Sequence, residues 1–273
     1  MRRVVIVLAD GLRPDAVSPS VMPSLDALGG VYTLALHART VRPSTTVAAL
    51  ASLATGVAPQ THRLIEPGLG FLPALSGLRP VARELQRAGI PTDVVTSDLG
   101  AAVYPVAWAL ASAAGVARLV THGSNARGAA LAAHRALCRN EQRLLFLYLP
   151  DCDRAGHAHG WMSAPYLEAA AEVDAAIGTL ASWTEEAVFL ITADHGGGGV
   201  DPRDHDAPHP VNDHIPLVVA GRGVTRRHQL TRPVSLLDIP ATVLWSFGLE
   251  VPPCYQGQPL TGAFTSDRVS VPA

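Results

Sequence analysis

The sequence predicts an α/β fold with a mainly parallel central sheet covered by helices, a three-layer αβα sandwich. Two observations carry this. Short aliphatic or β-branched runs recur over all 273 residues, and several are apolar at every position, as strands buried on both faces must be. Ala/Leu/Arg-rich helical stretches alternate with them, which is the order of a sheet built by crossover connections. The runs Val4–Ala9, Val31–His37, Thr92–Thr96, Leu144–Leu149, Val188–Thr192 and Ile215–Ala220 read as strands. Pro80–Ala88 and Asn125–Arg139 read as helices. Tyr166–Trp183 is the most regular helix, with Leu167, Ala170, Val173, Ile177 and Leu180 at three- and four-residue spacings behind the start signal Ser163 and Pro165. Ile65–Pro73 and Ala101–Asn125 have weak periodicity, and a small substrate-facing insertion is expected there. No internal repeat or low-complexity linker divides the chain, so residues 1–273 are expected to form a single catalytic domain.

Composition narrows the chemistry. With 48% hydrophobic residues, 16% charged residues and a net charge of -2, disorder and a polybasic nucleic-acid surface are not expected. All 21 cationic residues are Arg, and the absence of Lys excludes a Walker-type phosphate lysine, a Schiff-base lysine and a kinase-type strand lysine. Cys138, Cys152 and Cys254 are too few and too scattered for a disulfide framework or a thiolate zinc site, so a reduced, cytoplasmic protein is expected. The apolar run after Arg2-Arg3 is six residues long and ends at Asp10, too short for a signal-peptide core. No run approaches the roughly 18 apolar residues of a membrane span.

In open α/β sheets the chemistry gathers where strands end, so the polar residues behind each apolar run matter. Asp10 follows Val4–Ala9, and Gly11 comes next. Asp151-Cys152-Asp153 and His157 follow Leu144–Leu149, with Asp153 and His157 four residues apart. Asp194 and His195 follow Val188–Thr192 and precede Gly196–Gly199, whose glycines would give the backbone freedom to bring the two side chains together. Asp204, His205, Asp206 and His209 precede Ile215–Ala220, an excess of candidate ligands. Each has an ordinary reading as a turn former, cap or solvated loop residue. Together they are the inventory for two metal ions with a position left open for chemistry. Ser44, Thr45 and Thr46 offer a hydroxyl at the start of the small-residue helix Val47–Ala54, where backbone N–H groups and the helix dipole favour an anion. Spacing by itself does not choose among the three.

These residues, in this order, resemble the alkaline phosphatase superfamily, and most of all its type I phosphodiesterase/nucleotide pyrophosphatase branch, near phosphonoacetate hydrolase. The resemblance runs from Val4–Gly11 to Ser235–Thr242. It implies an alkaline-phosphatase-like fold with a minimal cap. The family nucleophile stands three residues after a proline and nine before a Thr-Gly pair; from Pro43 and from Thr55-Gly56 both counts reach Thr46, with Thr45 next to it. The family's Asp-x-x-x-His pair falls on Asp153 and His157, its Asp-His-Gly signature on Asp194 and His195. Its last ligand, ten residues before an Ile-Pro pair, falls on His205, with His209 as competitor. The resemblance thus implies one metal held by Asp153, His157 and His205 and a second by Asp10, Asp194 and His195 with Thr46 on or beside it. His62 reads as structural.

The sequence departs from the family in three places: Arg63 stands where Gly is usual, Asp206 where Gly follows the last ligand, and Ala49 where nucleotide pyrophosphatases carry a phosphate-binding Asn. The implied activity is phosphodiester or pyrophosphate hydrolysis through a phospho-threonine, with two divalent ions. Zinc is favoured by the mixed Asp/His set and manganese also fits. A small phosphate ester or phosphonate is the expected substrate, with no nucleic-acid or membrane partner. Phosphonate or phosphomonoester hydrolysis is the alternative within the superfamily. A metal-binding protein that retains phosphorylated metabolites without turnover is the alternative outside catalysis.

Overall fold

The computed structural model describes residues 2–65, 77–97, 100–123, 125–139, 142–184 and 186–265. Seven strands, β1 (Arg3–Ala9), β2 (Thr33–Arg39), β3 (Thr92–Thr96), β4 (Arg118–Thr121), β5 (Arg143–Leu149), β6 (Ala187–Thr192) and β7 (His214–Gly221), form one sheet in the order β2-β7-β6-β1-β5-β3-β4. Six strands run the same way; β7 is antiparallel to both neighbours, β6 and β2. β1 lies at the centre and pairs in parallel with β5 and β6, Ala9 opposite Leu149 and Leu8 opposite Thr192. The carboxyl ends of these three strands therefore lie side by side. Val4 to Ala9 and Ala187 to Thr192 are buried throughout, which is why they read as unbroken apolar runs.

The helices are α1 (Pro23–Val31), α2 (Thr46–Thr55), α3 (Pro59–His62), α4 (Val81–Arg87), α5 (Gly100–Ala113), α6 (Ala126–Leu137), α7 (Asp151–His159), α8 (Ala164–Trp183), α9 (Pro210–Asp213) and α10 (Asp238–Ser246). Two groups pack within themselves: α1, α6 and α7 around α8, and α2, α3 and α4 with α10. In α8 the side chains of Ala170, Val173, Ile177 and Leu180 are buried, as the spacing predicts; Leu167 is half-buried and Tyr166 takes the buried position before it, and Ser163 Oγ accepts from the Tyr166 N–H. None of the described helices is long and apolar enough to cross a membrane.

The structure departs from the sequence reading in three regions. Val31 closes helix α1 and the strand starts at Thr33, because Leu25 and Gly29 bury the helix against the sheet. Ala101–Asn125, expected to hold an insertion, instead carries the scaffold elements α5 and β4; β4 is a four-residue strand, half-buried throughout at the sheet edge, so it lacks an apolar signature. Asp151–His157 is helical, not a loop. Most of Ile65–Pro73 lies outside the described residues.

One buried acid serves the scaffold. Asp174, on α8 and 2% exposed, accepts the N–H groups of Ser24 (3.0 Å) and Leu25 (2.8 Å) at the start of α1, whose own N-cap, Met22, has no side-chain acceptor. Asp174→Ala leaves the buried Leu25 N–H and the half-buried Ser24 N–H without their acceptor and is expected to cost about 2–3 kcal/mol, read as a lower urea midpoint with an unchanged slope.

Candidate metal centre

Asp10 ends β1, and the chain must turn at once. Gly11 does this with φ +67°, and the space a Cβ would need is taken by Asp153, whose Cα would lie 2.9 Å away. The backbone also ties the two loops: Asp10 N–H donates to Leu149 O (2.9 Å) and Asp153 N–H to Asp10 O (3.0 Å). Helix α7 then carries Asp153 and His157 one turn apart on the same face. Asp153 Oδ1 lies 3.4 Å from His157 Nε2 and 3.8 Å from His205 Nε2.

On the other side of β1, the end of β6 delivers Asp194 and His195, both fully buried. Asp194 Oδ1 accepts the N–H groups of Gly11 and His195, each at 3.1 Å. Its Oδ2 lies 3.5 Å from His195 Nε2, and Asp10 Oδ1 lies 3.3 Å from the same nitrogen. Tyr148, in β5, donates its hydroxyl to Asp10 Oδ2. Two groups able to hold a cation result: Asp10, Asp194 and His195, and Asp153, His195 and His205, with His157 beside the second. The rings of His195 and His205 are stacked, their centroids 3.8 Å apart.

Three features fit this cluster to a cation. Asp10 Oδ1, Asp153 Oδ1 and Asp194 Oδ2 are buried and accept no hydrogen bond, and these are the oxygens that face the imidazoles. All three imidazoles have Nδ1 against a backbone carbonyl: Gly196 O for His195 (2.8 Å), Arg203 O for His157 (2.8 Å) and Ser44 O for His205 (3.0 Å). A carbonyl only accepts, so Nδ1 carries a proton and Nε2 is the ring nitrogen turned toward the carboxylates. The third is electrostatic. Burial and the neighbouring Asp10 charge raise the Asp194 carboxyl well above its usual range, and burial with Asp10 lifts Asp153 to about 6. His195 is raised to about 10: burial opposes its charge, and the Asp194 and Asp10 carboxylates outweigh burial. His205 is lowered to about 4 by burial and the His195 charge, so it is neutral with Nε2 available. The metal-free site holds a proton where the carboxylates demand positive charge.

The three hydroxyls that spacing left open diverge. Ser44 Oγ donates to His205 O (3.1 Å) and Thr45 Oγ1 to Ile65 O (3.3 Å), whereas Thr46 Oγ1 lies 3.2 Å from His195 Nε2. Thr46 is the first residue of α2, and Thr45, its N-cap, makes no side-chain cap. Of the other candidates, His209 lies outside the cluster: its Nδ1 accepts from the Val211 N–H at the start of α9. His62 has both ring nitrogens engaged, by Ser52 Oγ (2.9 Å) and the Leu64 N–H (2.9 Å). Ala49, where the related pyrophosphatases carry Asn, is fully buried in α2. Arg42 is ion-paired with Asp213 and Arg154 donates to Ser97 Oγ (3.3 Å).

The glycine run works differently from the sequence expectation. Among Gly196–Gly199 only Gly198 has a positive φ. What the run provides is close approach: a Cβ on Gly197 would lie 2.1 Å from Trp161 Cε2, and one on Gly196 would lie 1.9 Å from Val211 O. Trp161 is one of the residues sequence reasoning missed. Its indole N–H donates to Gly11 O (2.9 Å), which Tyr166 Oη also approaches at 2.9 Å. Tyr148 is another, and its trace in the sequence is a hydroxyl inside the apolar run Leu144–Leu149 just before Pro150-Asp151.

Two family models match the sequence. One, described as the metalloenzyme superfamily, covers residues 105–251, more than half of the chain, including Asp153, His157, Asp194, His195 and His205. The other, type I phosphodiesterase/nucleotide pyrophosphatase, covers residues 4–68, including Asp10 and Thr46. Among solved structures, a protein in the alkaline phosphatase superfamily from Vibrio parahaemolyticus superposes with a TM-score of 0.76 at 18% identity, over 95% of this chain and 69% of that one. The phosphonate monoester hydrolase of Silicibacter pomeroyi gives 0.70 at 18% identity, over 100% and 78%. Murine ectonucleotide pyrophosphatase/phosphodiesterase 5, an inactive variant in complex with AMP, gives 0.73 at 12% identity, over 94% and 98%. The fold is thus alkaline-phosphatase-like, as expected.

The packing at Gly11 is directly testable. Gly11→Ala forces a positive φ on alanine and a collision with Asp153; it is expected to lower stability by about 2–3 kcal/mol and to shift tryptophan emission through Trp161. Gly30→Ala, in α1 with nothing within 4 Å of the new Cβ, is the control and is expected to be neutral or stabilising by up to about 1 kcal/mol in the same urea titration.

Proposed function

The chain belongs to the metalloenzyme superfamily, and we propose that it is a phosphodiesterase of the nucleotide pyrophosphatase type, with Thr46 as nucleophile. The observation that carries this reading is the Thr46 hydroxyl, whose Oγ1 lies 3.2 Å from His195 Nε2 at the rim of a buried cluster whose three free carboxylate oxygens call for cations. Asp153, His157 and His205 would hold one divalent ion, and Asp10, Asp194 and His195 the other. Bound there, the ions would lower the hydroxyl pKa and stabilise negative charge on the phosphoryl and leaving oxygens.

The residues of the chain do the rest. Thr46 presents Oγ1 from the first turn of α2, where free N–H groups and the helix dipole favour the phosphoryl group. The Thr46 hydroxyl loses its proton to solvent and Oγ1 attacks phosphorus; the Oγ1–P bond forms, the P–O bond to the leaving group breaks, and the leaving group departs with the bonding pair and takes a proton from water. Water then cleaves the phospho-threonine and restores the hydroxyl. His157, His195 and His205 are held by their carbonyl partners, so no imidazole has to reorient during turnover.

The preference for a diester is supported by charge. Among the described residues, no Arg side chain hydrogen-bonds or ion-pairs with any of the seven site residues; Arg13 and Arg42 pair with Asp15 and Asp213, and Arg154, whose charge acts on Asp153, donates to Ser97 Oγ. A singly charged diester needs less cationic compensation than a dianionic monoester.

The test is turnover of bis(p-nitrophenyl) phosphate beside p-nitrophenyl phosphate and phosphonoacetate, with Zn2+ or Mn2+ added. The diester is expected to be fastest, chelation to abolish turnover, and Thr46→Ala to lower kcat by roughly a thousand-fold or more while both metals remain bound. Full activity in Thr46→Ala refutes the nucleophile; metal binding without turnover of any of the three favours a retaining, non-catalytic protein.

Metal affinity should also follow pH. Below about 10 the metal-free His195 carries a proton that a cation must displace. Apparent affinity is therefore expected to rise about tenfold per pH unit from pH 7 to 9. The slope steepens below about 6, where Asp153 also binds a proton. Calorimetry in buffers of different ionisation enthalpy counts the protons released.

A further inference from the structure

Both carboxylates around His195 present a single oxygen inward. Asp194 has Oδ1 occupied by two backbone N–H groups, and Asp10 has Oδ2 occupied by the Tyr148 hydroxyl. The remaining oxygens, Asp10 Oδ1 and Asp194 Oδ2, are buried without a hydrogen bond, 3.3 and 3.5 Å from His195 Nε2. With His195 Nε2 and Thr46 Oγ1 they make four donor atoms, the number that zinc takes. Manganese prefers a larger, oxygen-rich set, which a two-oxygen carboxylate would supply.

The placement of Tyr148 follows from the sheet. Tyr148 pairs with Leu8 across β5 and β1, and residues two apart on a strand share a face, so Tyr148 and Asp10 are on the same side. From that register the side chain reaches along the strand to Asp10. The amides that hold Asp194 belong to the backbone and are inseparable from the fold. The hydroxyl that holds Asp10 is a single atom on a side chain whose ring packs regardless of it.

We propose that Tyr148 is a positioning residue that keeps Asp10 a one-oxygen ligand and so selects zinc-like ions, content with few ligands, over manganese. This rests on the two-metal reading above. Without the hydroxyl, Asp10 is free to turn both oxygens inward, which raises the ligand count and crowds Thr46.

The experiment compares the full-length chain with its Tyr148→Phe variant. Zn2+ and Mn2+ dissociation constants are measured by competition with a chromogenic chelator, the visible spectrum is recorded with Co2+, and melting is followed without metal. Tyr148→Phe is expected to weaken Zn2+ at the site of Asp10, Asp194 and His195 roughly 10- to 100-fold and to change Mn2+ binding by less than about threefold, so that the Zn2+/Mn2+ ratio collapses. The Co2+ bands should lose intensity as the coordination number rises. Equal weakening of both ions, or an unchanged ratio and spectrum, overturns the role of Tyr148 and leaves the metal centre standing. The unaltered protein provides a test that does not depend on the variant folding: intense Co2+ bands of low coordination support the inference, and weak six-coordinate bands overturn it. Failure of the unaltered protein to bind either ion removes this inference together with the two-metal reading.

Discussion

Negative charge that the fold pairs only in part organises this molecule. Three carboxylate oxygens, on Asp10, Asp153 and Asp194, are buried at the carboxyl edge of the sheet with no hydrogen-bond donor of their own. Leaving such charge unpaired is among the most costly arrangements a protein can hold. The surrounding structure answers it only in part. Protonated His195 supplies one positive charge between Asp10 and Asp194, and the raised Asp153 and Asp194 carboxyls record what that single proton leaves unmet.

The supporting groups explain why the cluster keeps its shape. Each imidazole is pinned through Nδ1 by a different segment, Gly196 after β6, Arg203 in the following loop and Ser44 before α2. Ser44 and His205 clasp each other twice, side chain to backbone in both directions, which ties the Thr46 segment to the His205 loop. The two loops bring the Thr46 hydroxyl and the His205 imidazole together from distant parts of the chain, so their mutual anchoring sets the geometry of both. Trp161 performs the same office below the cluster, wedged against Gly156 and Gly197 while its N–H holds Gly11. The glycines around it act as absent side chains, which is a packing role and not a mobile one.

The sheet order explains where the site falls. β1 is central, and the strands on either side of it end level with it, so residues separated by well over a hundred positions meet across neighbouring strand ends. Because β7 is antiparallel to β6 it starts at the edge where β6 ends, so the connection that carries His205 stays at that edge without a crossover.

Local sequence determined the strands, because a strand buried on both faces has no freedom in composition: β1, β5 and β6 are readable as apolar runs. It also determined which residues stand at their ends, and hence the candidate acids and imidazoles. Fold and family could therefore be read from order and spacing. Tertiary structure alone decided the rest. Ser44, Thr45 and Thr46 are equivalent as neighbours in a chain and differ only in what lies opposite each hydroxyl. His205 and His209 differ in which way a loop folds back. Tyr148 reads as one more bulky strand residue until the parallel register sets it beside Asp10. Hydrogen bonds to a single oxygen depend on positions in space a few ångströms apart, and spacing along a sequence does not carry that information.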